Sequence, residues 1–221
     1  MEAAESLFAN ILDIISQGAL LPTMVILVAL IVYGVYVVGS LLAEIFTERK
    51  HFNLNMPDFL QGLDEAELDA TASYIADSGM LGSQKSALIK ICDNMNLAYE
   101  TRLALARKTT CDIKRKLQAR LSRTDLVAKI APMFGLMGTL IPLGPGIIAL
   151  GNGDTATLAT SIGIAFNTTV AGLIVAVICL VVTRIRKAWY DEYVEAAEAA
   201  MTSLLEKIDI AEEMEEGGYD A

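Results

Sequence analysis

The positions of charged residues divide the chain into three long apolar stretches separated by charged segments. Residues 14–43, 130–153 and 155–183 contain no Asp, Glu, Lys or Arg. About 20 apolar residues in a helix cross a bilayer core of about 30 Å, so each stretch is long enough to span a membrane. Lipid offers no hydrogen bonds to a backbone, so spanning segments should be helical. The pattern predicts transmembrane helices over residues 20–43, 130–150 and 156–183.

The charged segments also have helical patterns. The connection over residues 44–129 begins with short helices, and Ser83 is a predicted N-cap for one of them. No Gly or Pro occurs from Leu97 to Lys129, which predicts a helix that continues into the second span. The third span likewise continues into a helix over residues 184–214. The predicted fold class is therefore all-α, with three transmembrane helices and long helical extensions.

The two ends of the chain are predicted to differ from the spans. Residues 1–19 have the pattern of a short amphipathic helix at the outer membrane surface. This leader is acidic and has no Lys or Arg, so it does not resemble a secretory signal. Residues 215–221 (EEGGYDA) are predicted to be a disordered tail.

Basic residues are distributed very unevenly and predict the topology. The connection over 44–129 carries 13 of the 17 Lys and Arg residues, and residues 184–221 carry the other four. Basic residues near the ends of spans favour the cytoplasmic side. The sequence therefore predicts a multi-pass protein of the cytoplasmic (inner) membrane, with its N-terminus outside and its C-terminus in the cytoplasm.

Charge also suggests an internal pairing. Residues 97–129 hold nine basic residues against three acidic ones, whereas residues 184–221 hold 11 acidic residues. A basic helix can bind nucleic acid or anionic lipid, or it can pair with an acidic neighbour. The acidic segment and the absence of interleaved aromatic residues favour pairing within the protein. We expect no nucleic-acid partner, and we expect the chain to contact the lipid bilayer.

The sequence carries none of the common catalytic patterns. It lacks phosphate-loop, dinucleotide, zinc-protease and serine-hydrolase motifs, and it has one His and three widely separated Cys residues. Neither catalytic residues nor a metal site is predicted, and the chain is not expected to be an enzyme.

The spans contain no Asp, Glu, Lys, Arg or His, but they do contain small and hydroxylated residues at helical spacing. Ser161, Ala165, Thr168 and Gly172 share one face of the third span. Two interpretations remain open from spacing alone: tight packing of helices through small residues, or a pore lined by hydroxyl groups. Asn167 is costly in lipid and should face protein or water.

Two motifs carry a family resemblance. APMFGLMGT in the second span and IAFNTTVAGLIVAV in the third closely resemble the MotA/TolQ/ExbB proton-channel family, in its three-span ExbB/TolQ branch. The resemblance is strong over residues 126–186. Two features depart from the usual pattern: Ile164 stands where ExbB/TolQ members commonly carry Glu, and the stretch after Thr139 is rich in Pro and Gly up to the predicted GNGD turn at residues 151–154. The second feature is typical of an archaeal or unassigned branch.

The resemblance implies a homopentamer around two copies of a single-span partner of the ExbD/TolR/MotB type, whose Asp binds the translocated ion. No cofactor is implied apart from that ion, H⁺ in preference to Na⁺ on family grounds. By the match, Thr139 and Thr169 are channel residues and Pro132 is the proline of the second span. The predicted ion pathway is Thr139, Thr169, Thr168, Asn167 and Ser161, and the predicted packing and gating residues are Pro132, Gly135, Gly138, Pro142 and Gly172.

Two functions follow as hypotheses. The first is an ion-conducting subunit of a motor driven by the ion-motive force. The second is a non-conducting membrane scaffold that recruits proteins through its cytoplasmic helices.

Overall fold

The computed structural model describes residues 2–49 and 55–217, and every element within them is helical. The all-α class is therefore confirmed for the described residues. Three of the helices (α1, α5 and α6) are long and apolar enough to cross a membrane. The elements are α1 (Glu2–Glu44) with a π-helical turn (Ile45–Arg49), α2 (Met56–Glu65), α3 (Leu68–Asp77), α4 (Gly82–Cys92), α5 (Tyr99–Gly151) and α6 (Thr155–Gly217).

Helix boundaries differ from the predicted ones at three places. The segment predicted as a separate N-terminal helix is continuous with the first span, because α1 runs unbroken from Glu2 and includes Pro22. Helix α6 extends to Gly217, and residues 218–221 of the predicted tail lie outside the described residues. Leu81, not Ser83, is the N-cap of α4, because the Gln84 side chain accepts the Leu81 N–H at 2.8 Å.

Residues 2–41 and 122–184 form one compact unit, which we call the apolar unit. Its core contains Leu30, Ala131, Val175, Ala176 and Cys179. Helix α1 contributes a buried seam with a residue every three or four positions, and the seam includes Thr23, Leu27, Leu30, Gly34, Val37 and Leu41. Large apolar side chains cover much of its exposed surface, as expected for a surface that faces lipid.

The described residues within 42–121 and 185–217 form a second compact unit, which we call the charged unit. Helices α2 to α4 share an apolar core with α6, in which Leu63, Leu88 and Leu204 are almost fully buried. Long side chains add links to backbone carbonyls. The Gln84 amide donates to the Tyr193 carbonyl at 2.6 Å, and the Lys207 ammonium donates to the Leu63 carbonyl at 2.5 Å.

A tight turn joins α5 to α6 at the predicted GNGD sequence. Gly153 adopts a φ of 82°, a left-handed conformation that favours glycine. The Asp154 carboxylate accepts the Thr157 backbone N–H at 3.0 Å and so caps the first turn of α6. These hydrogen bonds hold the pKa of Asp154 below its usual range, with the bond from the Thr157 side chain as the largest cause.

Candidate functional site

Within the apolar unit, α5 and α6 pack along a line of glycines. A Cβ atom added at Gly138 would lie 2.7 Å from the Thr168 Cβ, and one added at Gly146 would lie 2.8 Å from the Ser161 Cβ. Real Cβ atoms do not approach so closely, so any larger residue at these positions would separate the two helices. The predicted residues Gly138, Thr168 and Ser161 therefore meet at one helix interface.

Gly172 and Gly135 lie backbone against backbone at this interface. A Cβ at Gly172 would lie 2.7 Å from the Ala131 carbonyl oxygen and 3.0 Å from the Gly135 Cα. Both obstacles are backbone atoms, which cannot move aside by changing a rotamer. This is the small-residue packing by which helices associate in membranes.

Burial separates two of the predicted pathway residues from the others. Ser161 is 9% exposed and Thr168 is 6% exposed, and both pack against α5. The Thr168 hydroxyl also donates within its own helix, to the Ile164 and Ala165 carbonyls at 3.0 and 2.9 Å. Within this chain these two residues serve helix packing.

Thr139, Thr169 and Asn167 occupy more open positions. Thr139 and Thr169 are partly exposed and Asn167 is exposed. The Thr139 hydroxyl donates to the Leu136 carbonyl at 2.6 Å, and the Thr169 hydroxyl donates to the Ala165 carbonyl at 3.2 Å. A hydroxyl has one donor and two acceptor lone pairs, so each oxygen still presents acceptor capacity away from its own helix.

The predicted prolines all lie inside α5, which is unbroken across them. Pro142 is buried and Pro132 is partly exposed. Their role in gating remains a prediction. Ile164, where ExbB/TolQ members commonly carry Glu, is 38% exposed, so α6 presents an apolar side chain at that position.

The structure also contains a buried polar cluster that the sequence analysis missed. The Glu44 carboxylate accepts a hydrogen bond from Arg186 Nε at 2.7 Å and one from the Tyr190 hydroxyl at 2.6 Å. The side chains of Glu44 and Arg186 are only 7% and 10% exposed. Burial, together with the hydrogen bond to Glu44, raises the pKa of Tyr190 to about 12, so the phenol remains a neutral donor.

A periodic signal could have identified Glu44. Gly34, Val37, Leu41 and Glu44 follow one another at intervals of three or four residues. This spacing places Glu44 on the buried seam of α1. A charged residue on such a seam requires a partner, because an unpaired buried charge is very costly.

The predicted pairing of basic α5 with acidic α6 occurs in the charged unit. Arg102, whose side chain is fully buried, donates from Nη2 to Glu212 Oε2 at 2.6 Å and from Nη1 to the Met95 carbonyl at 2.5 Å. The hydrogen bond from Arg102 lowers the pKa of Glu212. Two other basic residues of α5 pair locally, Lys108 with Asp112 at 2.6 Å and Lys129 with Asp125 at 2.5 Å. No cluster of three potential metal ligands occurs among the described residues.

Three long apolar helices, packed closely through glycine and surrounded by exposed apolar side chains, define a multi-pass helical membrane protein. Residues 69–199 match the MotA/TolQ/ExbB proton channel family. The match covers more than half of the chain, and the protein belongs to this family, which is one of channels and transport proteins.

A similar protein also points to this family. The chain is 25% identical over 179 residues to a biopolymer transport protein ExbB homolog of the archaeon Methanothermobacter thermautotrophicus. The alignment covers 78% of this chain and 61% of the relative. The chain therefore spans less than two thirds of that relative's length.

Proposed function

We propose that this chain is the ion-conducting subunit of a homopentameric motor driven by the ion-motive force. It lies in the cytoplasmic (inner) membrane with its N-terminus outside, and it conducts H⁺ in preference to Na⁺. Two copies of a single-span protein of the ExbD/TolR/MotB type occupy the centre of the pentamer and supply the ion-binding Asp. The open positions of Thr139 and Thr169, in a chain that belongs to a proton-channel family, carry this proposal.

Hydrogen-bond chemistry suggests what the threonines do. Their hydroxyl protons are committed to the Leu136 and Ala165 carbonyls, so toward a channel the oxygens act as acceptors. A protonated carboxyl group of the partner can donate to such an oxygen, whereas a carboxylate cannot. The threonine wall therefore favours the neutral, proton-loaded form of the partner's Asp and raises its pKa.

Proton binding to the partner's Asp and proton release from it then move the partner helix relative to the surface that carries Thr139 and Thr169. A neutral carboxyl group can lie against an apolar, threonine-lined surface, whereas the carboxylate formed after proton release is driven from it toward water. One elementary charge that crosses 100 mV yields about 2.3 kcal/mol, so useful work requires several ions per cycle.

Glycine packing supports a mechanism in which the partner moves and the threonine-lined surface stays fixed. Backbone contact at Gly135 and Gly172 makes this part of α5 and α6 one rigid block, because neither helix can slide past atoms already in contact. Ser161 and Thr168 belong to the block, and Thr139, Thr169 and Asn167 to its open surface. In this assignment the partner moves and the wall does not.

The test is proton flux into proteoliposomes that contain this chain and its partner. We expect a neighbouring gene to encode that partner, a single-span protein with an Asp near the start of its span. The variant Thr139→Val/Thr169→Val removes both hydroxyls at nearly constant shape and should decrease flux by at least about tenfold, the effect of one lost hydrogen bond in a rate-limiting step. Ser122→Ala, which alters an exposed hydroxyl outside the predicted spans, is the control. Undiminished flux in the double variant would refute the pathway, and no flux with any such partner would favour the scaffold.

A further inference from the structure

A groove between α5 and α6 in the charged unit has no role in the proposed ion pathway. It consists of two adjoining depressions of about 550 and 260 Å³, both lined by Lys114 and Glu198. Its floor is apolar and includes Leu103, Leu117, Val194, Met201 and Leu205. We call it the α5–α6 groove. An apolar floor between polar rims is the usual composition of a protein interface.

The two rims of the α5–α6 groove carry opposite charges. The basic residues Arg107 and Lys114 lie on the α5 rim. The α6 rim carries three exposed carboxylates, those of Asp191, Glu195 and Glu198. The three α6 carboxylates form no ion pair with any described residue. Their charge is therefore available to another molecule.

A separate basic strip lies on α5 outside the groove. It consists of Arg115 and Lys116, both of which are exposed. The acidic residue beside them, Asp112, is already bonded to Lys108 at 2.6 Å. The hydrogen bond from Lys108 is the main cause of the lowered pKa of Asp112, and the nearby charges of Arg115 and Lys116 add to it. Neither Arg115 nor Lys116 forms an ion pair with any described residue. One chain thus carries an acidic rim and a basic strip at two different places.

We propose that the acidic rim of the α5–α6 groove receives the basic strip of α5 from a second copy of this chain. Two different patches that complement each other make a head-to-tail contact, and repetition of such a contact closes a ring when the rotation permits. The apolar floor supplies buried area, and the charges fix which side of each neighbour is engaged. This inference rests on the proposed function only for the number of copies in the ring.

Charge reversal and charge exchange test the contact. The full-length chain is purified in a mild detergent, and its oligomeric mass is measured by native mass spectrometry at low and high salt. Both Arg115→Glu/Lys116→Glu and Glu195→Lys/Glu198→Lys should weaken the oligomer at low salt by at least about tenfold in dissociation concentration, because like charges then face each other. The variant that carries all four substitutions should regain the wild-type mass.

A matched control reverses two nearby exposed carboxylates near the end of α2, as Glu65→Lys/Glu67→Lys, and should leave the mass unchanged. Melting followed by circular dichroism reports on folding independently of assembly. An unchanged mass in either reversed variant, or failure of the fourfold variant to recover while it melts like the wild type, would overturn the proposal. Flux is a separate readout: a salt-sensitive oligomer that conducts nothing would refute the proposed function and leave this contact standing.

Discussion

The apolar unit and the charged unit satisfy their polar groups in different ways. In the apolar unit, the hydroxyls of Thr23, Thr139, Thr168, Thr169 and Thr183 each donate to a carbonyl three or four residues earlier on the same helix. In the charged unit, Thr71, Thr109 and Thr202 form the same local bonds. In addition, Gln84, Arg102 and Lys207 reach groups 109 to 144 residues away in sequence. Helices in lipid can keep their polarity local and associate through glycine contacts. Helices in water can also use long polar links, as Arg102 does with Glu212, whose side chain is 47% exposed and remains hydrated.

The largest expected effect concerns the buried carboxylate of the charged unit. Glu44→Ala removes the partner of a guanidinium that is only 10% exposed, and breaking a buried ion pair in this way costs about 3–5 kcal/mol. We expect a large decrease in the free energy of unfolding, measured by denaturant titration in detergent. Glu65→Ala, at an exposed site, is the control, and equal stability of the two variants would contradict the assigned role of Glu44.

A smaller effect should distinguish two glycines of the same helix in the apolar unit. Gly172→Ala places a methyl group 2.7 Å from the Ala131 carbonyl oxygen, and overpacking of this kind costs about 1–3 kcal/mol. At Gly163 nothing lies within 4 Å of an added Cβ. Gly163→Ala should therefore be neutral or stabilising, since Ala is the better helix former by up to about 1 kcal/mol. The melting temperatures of the two variants should move apart, and a common decrease would argue against close backbone packing.

The smallest effect is a dependence on pH in the charged unit. Because the pKa of Glu212 is lowered in the folded state, its ion pair with Arg102 stabilises the protein fully above the ordinary Glu pKa of about 4.3. That stabilisation is lost as the pH falls through the lower, folded-state pKa. The difference in melting temperature between wild type and Glu212→Gln should be constant near neutrality and should decrease below about pH 4. A difference that does not change between pH 7 and pH 3 would show that the charge of Glu212 is not responsible.

Most of the helices could be predicted from the sequence because their cause is local. Uncharged runs predict α1, α5 and α6, and the GNGD turn predicts the break between the last two helices. The N-cap of α4 was predicted wrongly, because Ser83 fits a cap on its own and the competing Gln84 contact depends on geometry.

Which hydroxyl residues are buried and which are open could not be predicted in the same way. Thr168 and Thr169 are adjacent in sequence, and helical spacing places both on stripes of small residues. Only the position of α5 decides which of them is buried, because Gly138 lies against Thr168 and leaves Thr169 partly open. The same holds for Glu44, whose partners lie more than 140 residues away in sequence.

This adjacent pair provides the most direct test of the ion pathway. Thr168→Val and Thr169→Val each remove one hydroxyl from α6 at nearly constant shape, one in the buried packing line and one on the open surface. Proton flux in proteoliposomes with the partner is measured for both variants at equal amounts of assembled protein. We expect Thr169→Val to decrease flux by about tenfold and Thr168→Val to stay within about twofold of wild type. A larger loss in Thr168→Val, or undiminished flux in Thr169→Val, would contradict the assignment.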